Sequence, residues 1–226
     1  MPAPIRHAGH VPALGSFSLV YEGEKSMRVL YGLAVSGHVH RVRLFLSILK
    51  LDYRAVEVAP HDPVVEALNP LGQIPVFQDG DLTLCDSNAI LVYLARKYAP
   101  GSSWLPTDPI GEAHVQRWFS IAAGEIRFGL AAARAATLWK HPKEELLAAQ
   151  ARGRRFLPIL EKALTDRTFL TGTGPTLADL ACYAYVARAP EGGLSLDACP
   201  SIRNWLHRVE ALPGFVSMPE TQEPFV

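Results

Sequence analysis

Asn69-Pro70-Leu71-Gly72-Gln73-Ile74-Pro75-Val76, followed a few residues on by Leu84-Cys85-Asp86-Ser87-Asn88-Ala89-Ile90, is the stretch whose reading decides the fold. Pro75 stands at the start of a short apolar run, and proline has no N–H to give to a sheet ladder. Ile74-Pro75 fits a cis peptide in a tight turn, with the Ile74 N–H and C=O facing outward to pair antiparallel with a short peptide. An edge-strand proline with no ligand is the plainer alternative. Asp86-Ser87 then open an amphipathic segment. Both residue types cap helices, and at a helix N-terminus they can also grip a zwitterion, Asp86 taking an α-ammonium and Ser87 an α-carboxylate.

Working outward, residues 27–99 alternate in grammar. Met27–Gly32 reads as a short buried strand, and Gly37–Lys50 as a helix with Val42, Phe45, Leu46 and Leu49 at helical spacing. Tyr53–Val58 reads as a second strand and Asp62–Leu68 as a turn or short helix. Ile74–Gln78 and Leu82–Leu84 pair as a hairpin across Asp79-Gly80. Asp86–Tyr98 closes this half as a helix with Ile90, Leu91, Leu94 and Tyr98 on one face. The order is β-α-β-α-β-β-α.

The remainder reads as helical throughout. Pro100-Gly101-Ser102-Ser103 and Pro106-Thr107-Asp108-Pro109 place a linker at 100–107. Helices are expected over 108–139 and 143–165, a third from the capping box Thr176-Leu177-Ala178-Asp179, and a last one from Pro200 with Ile202, Trp205, Leu206, Val209 and Leu212 as its stripe. An α/β domain at 27–99 is thus followed by an all-helical domain at 108–226. Residues 1–26, rich in proline and glycine and without periodicity or a signal-peptide apolar core, read as a loosely ordered extension.

Lys+Arg and Asp+Glu both number 22, so the chain lacks the basic excess of a nucleic-acid binder. No apolar run approaches the roughly 18 residues that span a bilayer. Cys85, Cys182 and Cys199 are too widely spaced for a metal site or a disulfide framework, which points to a reducing compartment and no metal.

The first strand–helix junction, Tyr31-Gly32-Leu33-Ala34-Val35-Ser36-Gly37-His38-Val39-His40-Arg41, offers the free N–H groups of a helix start. Ser36 is placed to donate its hydroxyl to a bound thiolate, and equally to serve as an N-cap alone. His38 and His40 flank it with no carboxylate in sequence to orient them. In the helical half, Arg127, Ala131, Arg134 and Leu138 follow i, i+4, i+7, i+11. Two arginines on an apolar face can meet an anionic or carbonyl-bearing substrate, or simply pair with Glu125 or Glu112. Trp118 and Phe128 are candidates for a pocket wall, or for core or interface.

A strand, a Ser-containing turn and a helix, then Asn-Pro-x-Gly-Gln-Ile-Pro-Val, Asp-Gly and Asp-Ser-x-Ala-Ile-x-x-Tyr-Leu, resemble the glutathione transferases, from Met27 to about Phe215. The resemblance implies a thioredoxin-like domain that binds glutathione as co-substrate, a helical domain that lines the second-substrate pocket, and a cytoplasmic homodimer acting on a small hydrophobic electrophile, as in detoxification. It assigns Ser36 to activation of the glutathione sulfur and Ile74 to the cysteinyl backbone. Asp86 and Ser87 become the γ-glutamyl anchors, with Gln73 beside the peptide. Thr176 and Asp179 fall to folding rather than to the site. Trp118, Arg127 and Arg134 are the substrate-side candidates.

Two departures stand out. Pro60-His61-Asp62-Pro63 lacks the Lys or Arg that often reaches the glycyl carboxylate, leaving His61 as a weak substitute. Ser36-Gly37-His38-Val39 has no cysteine, which argues against dithiol exchange. Glutathione-dependent peroxidase or isomerase chemistry, or a non-catalytic binding protein, would use the same fold.

Overall fold

The computed structural model describes residues 28–219 and 221; the expected extension at 1–26 and the expected domain start at Met27 lie outside them. Four short strands, β1 (Arg28–Tyr31), β2 (Arg54–Val56), β3 (Val76–Asp79) and β4 (Leu82–Cys85), form one sheet in the order β2-β1-β3-β4. β1 runs parallel to β2 and antiparallel to β3, and β3 and β4 are an antiparallel hairpin. The parallel pair needs a crossover, which α1 (Gly37–Ile48) supplies. α2 (Pro63–Leu68) follows β2, and α3 (Ser87–Tyr98) follows β4. This is the thioredoxin-like order expected from the sequence.

Three details differ from expectation. β2 covers only Arg54–Val56 of the expected Tyr53–Val58. β3 begins at Val76 rather than Ile74, because the Ile74-Pro75 bond is cis and keeps that corner out of the ladder. The hairpin loop is Gly80-Asp81, not Asp79-Gly80: Asp79 pairs with Leu82, and Gly80 takes φ 63°, a conformation glycine adopts without steric cost. Asp79 stays in the strand because its carboxylate is buried, accepting hydrogen bonds from Tyr93, Tyr98 and Lys97 of α3.

Most of each apolar stripe is buried as its spacing predicts, although α1 ends at Ile48 rather than Lys50, leaving Leu49 just past it, and Leu49 and Tyr98 are only half-buried. Val42, Phe45 and Leu46 of α1 and Ile90, Leu91 and Leu94 of α3 are fully buried, and the two helices pack together. α1 also packs against α7 (Leu177–Ala187) of the helical half, so one hydrophobic core runs through both halves. That half comprises α4 (Pro109–Ile121), α5 (Ala132–Leu138), α6 (Lys143–Leu164), α7 and α8 (Pro200–Glu210). The expected single helix over 108–139 is a rod interrupted by a π-helical segment, Ala122–Ala131, whose i→i+5 bonding shifts the phase of every side chain beyond it. Asp179 is buried and accepts from the Thr176 and Leu170 N–H groups and from the Trp205 indole, fixing α7 against α8.

Candidate functional site

A cleft of about 440 Å³ opens where the C-terminal end of β1, the start of α3 and the π–α5 rod converge. Ser36, Gln73, Ile74, Asp86 and Ser87 all line it, as do Arg127 and Arg134. Trp118 does not: it is 3% exposed, packed in the core with its indole N–H donating to the Leu170 carbonyl at 3.1 Å. Trp139, at the end of α5, is the tryptophan in the cleft wall. Phe128 is exposed and lies outside the lining, beneath the Arg127 and Arg152 guanidinium groups.

Ser36 is the N-cap of α1. Its Oγ accepts from the Val39 N–H at a long 3.4 Å, and no acceptor among the described residues takes its hydroxyl proton. Capping and donation therefore coexist: a lone pair serves the helix while the O–H is left for the cleft. Next to it, Gly37 is required by packing, since a Cβ there would lie 2.7–2.9 Å from the Tyr185 ring. Tyr185, on α7, brings its hydroxyl to 2.9 Å from Nδ1 of His38. Burial, reinforced by Arg41 and Arg127, holds the His38 pKa well below the usual imidazole value, so the ring is neutral near neutral pH.

The second wall is the Asn69–Pro75 turn. Asn69 Nδ2 donates to the Gln73 carbonyl at 2.8 Å, and the cis Ile74-Pro75 bond turns the chain toward β3. Neither the Ile74 N–H nor its C=O has a backbone partner among the described residues. His61 is turned away from the cleft, with Nδ1 3.3 Å from Glu66 and its ring packed over Gly72; Ala59 and Pro60 line the cleft instead.

The third wall is the start of α3. Asp86 sits at φ 70°, a region unfavourable to any residue but glycine. That strain aims one carboxylate oxygen, Oδ1, at the Asn88 and Ala89 N–H groups at 2.9 and 3.0 Å. Its other oxygen is unengaged among the described residues. Ser87 is 3% exposed and accepts from Nη1 of Arg41, which comes up from α1 beneath it.

The two substrate-side arginines separate. Arg134 is 2% exposed: Nε meets Glu191 at 2.6 Å, Nη2 donates to Thr221 at 2.7 Å, and Nη1 donates to the carbonyl of Val35 at 2.9 Å. It ties α5 to the residue before Ser36 rather than offering a free charge. Arg127 is exposed and has no acidic partner among the described residues, because Glu125 pairs with Arg152 and Glu112 with Arg96. Tyr185, Arg41 and Trp139 were not singled out from the sequence. Tyr185 and Arg41 sit within helical runs that carry no local sign of a site.

A family model described as glutathione S-transferase, N-terminal domain, matches residues 30–103, and one described as glutathione S-transferase, C-terminal domain, matches 111–213. Glutathione S-transferase theta-1 of Mus musculus is 33% identical over 160 residues, which is 65% of this chain and 65% of that protein, just under two thirds of its length. A glutathione S-transferase structure from Pseudomonas fluorescens Pf-5 is 34% identical, covers 86% of this chain and 100% of that one, and superposes with a TM-score of 0.80. A glutathione transferase homolog from Drosophila mojavensis, solved with bound glutathione, is 26% identical with a TM-score of 0.71, covering 83% of this chain and 89% of that one.

Proposed function

The chain belongs to the glutathione S-transferase family, and on that premise we propose that it binds glutathione in this cleft and adds its sulfur, as thiolate, to a small electrophile. The observation that carries this reading is the convergence on one cleft of the Ser36 hydroxyl proton, the unpaired Ile74 backbone and the Asp86-Ser87 start of α3. In the proposed complex Ile74 pairs with the cysteinyl backbone, and Gln73 lies beside the peptide. Asp86 takes the γ-glutamyl ammonium through its unengaged oxygen. Ser87, through its hydroxyl and its own backbone N–H, takes the α-carboxylate, since Asp86 already occupies the next three N–H groups of α3. The sulfur then meets Ser36 at the start of α1.

A free thiol with a pKa near ~8.5 is about 3% ionised at pH 7, so complete ionisation raises the thiolate roughly thirtyfold, or about 2 kcal/mol. One hydroxyl donor and a helix N-terminus supply that amount. His38 contributes no positive charge, being neutral and bonded to Tyr185. The rest of the acceleration is assigned to holding the electrophile beside the sulfur. Leu33, Val35, Ala131, Ala135 and Trp139 give it an apolar bed, and Arg127 favours a substrate with an anionic or carbonyl group.

The proposal includes a division at 27–99, 100–107 and 108–226, a homodimer and a reducing cytoplasmic setting. The three thiols are free, and burial raises the pKa of each, which suits them to the core rather than to redox chemistry. Retention on immobilised glutathione, followed by assays with a chlorodinitrobenzene and with an organic hydroperoxide, tests the reading. Turnover of the first supports conjugation, and turnover of the second alone makes glutathione a reductant. Retention without turnover of either indicates a binding protein.

A further inference from the structure

Arg41 is the most anomalous charged group among the described residues. It is 1% exposed in the second turn of α1, and its Nε and Nη2 have no hydrogen-bond partner. No carboxylate among the described residues lies within ion-pair distance; Tyr185, Cys182 and, more weakly, Asp86 act on it only at longer range, and Oδ1 of Asp86 caps α3. A buried guanidinium without a counter-charge is expensive, since its desolvation is not recovered. Burial accordingly pulls its pKa down, yet an arginine stays protonated at any physiological pH.

The bonds it does make all point one way. Nη1 donates to Ser87 Oγ at 3.2 Å and to Asn88 Oδ1 at 2.7 Å, the first two residues of α3. The Asn88 amide donates in turn to the Phe119 carbonyl of α4, which fixes its oxygen toward the guanidinium. Because Ser87 Oγ accepts from Arg41, its own proton is left to donate, and the face it shares with the cleft is where that proton can go. A carboxylate oxygen bound to Ser87 Oγ lies within about 6 Å of Nη1.

We propose that Arg41 is a positioning residue for glutathione: from beneath α3 it holds Ser87 as a hydrogen-bond donor, and the γ-glutamyl α-carboxylate of the ligand is the counter-charge that this guanidinium otherwise lacks. This rests on the glutathione-binding reading above. The empty site carries the electrostatic cost and the occupied site relieves it, so the charge contributes to affinity for one chemical group of the ligand and not to the apo fold.

The test compares two ligands on two proteins by calorimetry: glutathione, and γ-aminobutyryl-cysteinyl-glycine, which is glutathione without the α-carboxylate. Arg41→Met is expected to lose about tenfold in glutathione affinity, to bind the analogue within about twofold of the unaltered protein, and to melt at the same or a higher temperature, since a well-packed apolar side chain removes a desolvation cost. Equal losses for the two ligands, or no loss for glutathione, overturn the proposal. If Arg41→Met does not fold, Arg41→Lys keeps the charge without the fork, and the same comparison decides: a loss confined to glutathione supports the role, and a uniform loss refutes it. Failure of the unaltered protein to bind glutathione at all refutes the parent reading, and is distinguishable because it appears without any substitution.

Discussion

Ser36 illustrates how one side chain can carry two duties without conflict. Its lone pair caps α1 while its proton has no other acceptor among the described residues. Ser36→Ala should lower kcat at pH 7 by about ten- to thirtyfold, the span of the thiol-ionisation gain. The rising limb of the kcat/KM profile should move up toward the ~8.5 of a free thiol, with glutathione affinity nearly unchanged. A pH–rate profile with direct binding measurements checks both, and an unmoved profile would shift the stabilising role to the α1 N–H groups. Ser87→Ala should act oppositely. It removes a bond to a charged group, worth about 1.5–3 kcal/mol, so glutathione binding should weaken at least tenfold while kcat at saturation changes little. These residues were legible because capping and X-Pro chemistry are local: each depends on neighbours within three or four positions.

At the scale of elements, the helical half reaches across to brace the loop before Ser36. Arg134 of α5 holds the Val35 carbonyl from 99 residues away. Arg134→Met should cost about 2–3 kcal/mol, below the range for a wholly orphaned buried charge, because Glu191 keeps Arg188 at 3.4 Å. Thermal unfolding would show the loss, and kcat should fall further than glutathione affinity if the Ser36 loop is what moves. Within the α/β half, the Asp79 carboxylate locks β3 to α3. Burial alone would raise its pKa, but donation from Tyr98, Lys97 and Tyr93 outweighs this and holds it below the ordinary value. The stabilisation is therefore complete above the unfolded aspartate value near ~3.9 and lost as pH falls through the folded-state value. Asp79→Asn should flatten the acid side of a Tm-versus-pH curve; an unchanged slope would assign acid sensitivity elsewhere. The π-helical segment was not legible, because alanine- and glycine-rich helix carries no signal for i→i+5 over i→i+4 bonding.

Across the whole molecule, the cleft is a product of both halves: Ser36, Gln73, Ile74, Asp86 and Ser87 come from the α/β half, and the facing wall of Arg127, Ala131, Ala135 and Trp139 from the π–α5 rod. Arg127 is the charge this second wall leaves unspent among the described residues. Arg127→Gln should reduce kcat/KM for an electrophile bearing a carboxylate by about tenfold, and leave a neutral electrophile within about twofold, the size of a charge-assisted hydrogen bond at a partly solvated site. A parallel rise in KM for glutathione would instead place the guanidinium at the glycyl carboxylate.

Sequence by itself was sufficient for the β-α-β-α-β-β-α order, the helical second half and the cis-proline corner. All of these follow from periodicity and from backbone chemistry written within a few residues. Tertiary structure alone decided that Trp118 is core and Trp139 is wall, that Arg134 braces while Arg127 is left free of acidic partners among the described residues, and that Tyr185 and Arg41 belong beside the cleft. Those outcomes turn on contacts spanning 46 residues for Arg41–Ser87 and 147 for His38–Tyr185. Whether a polar side chain is spent internally or offered to a ligand depends on which distant partner packing brings within about 3 Å, and no local pattern encodes that.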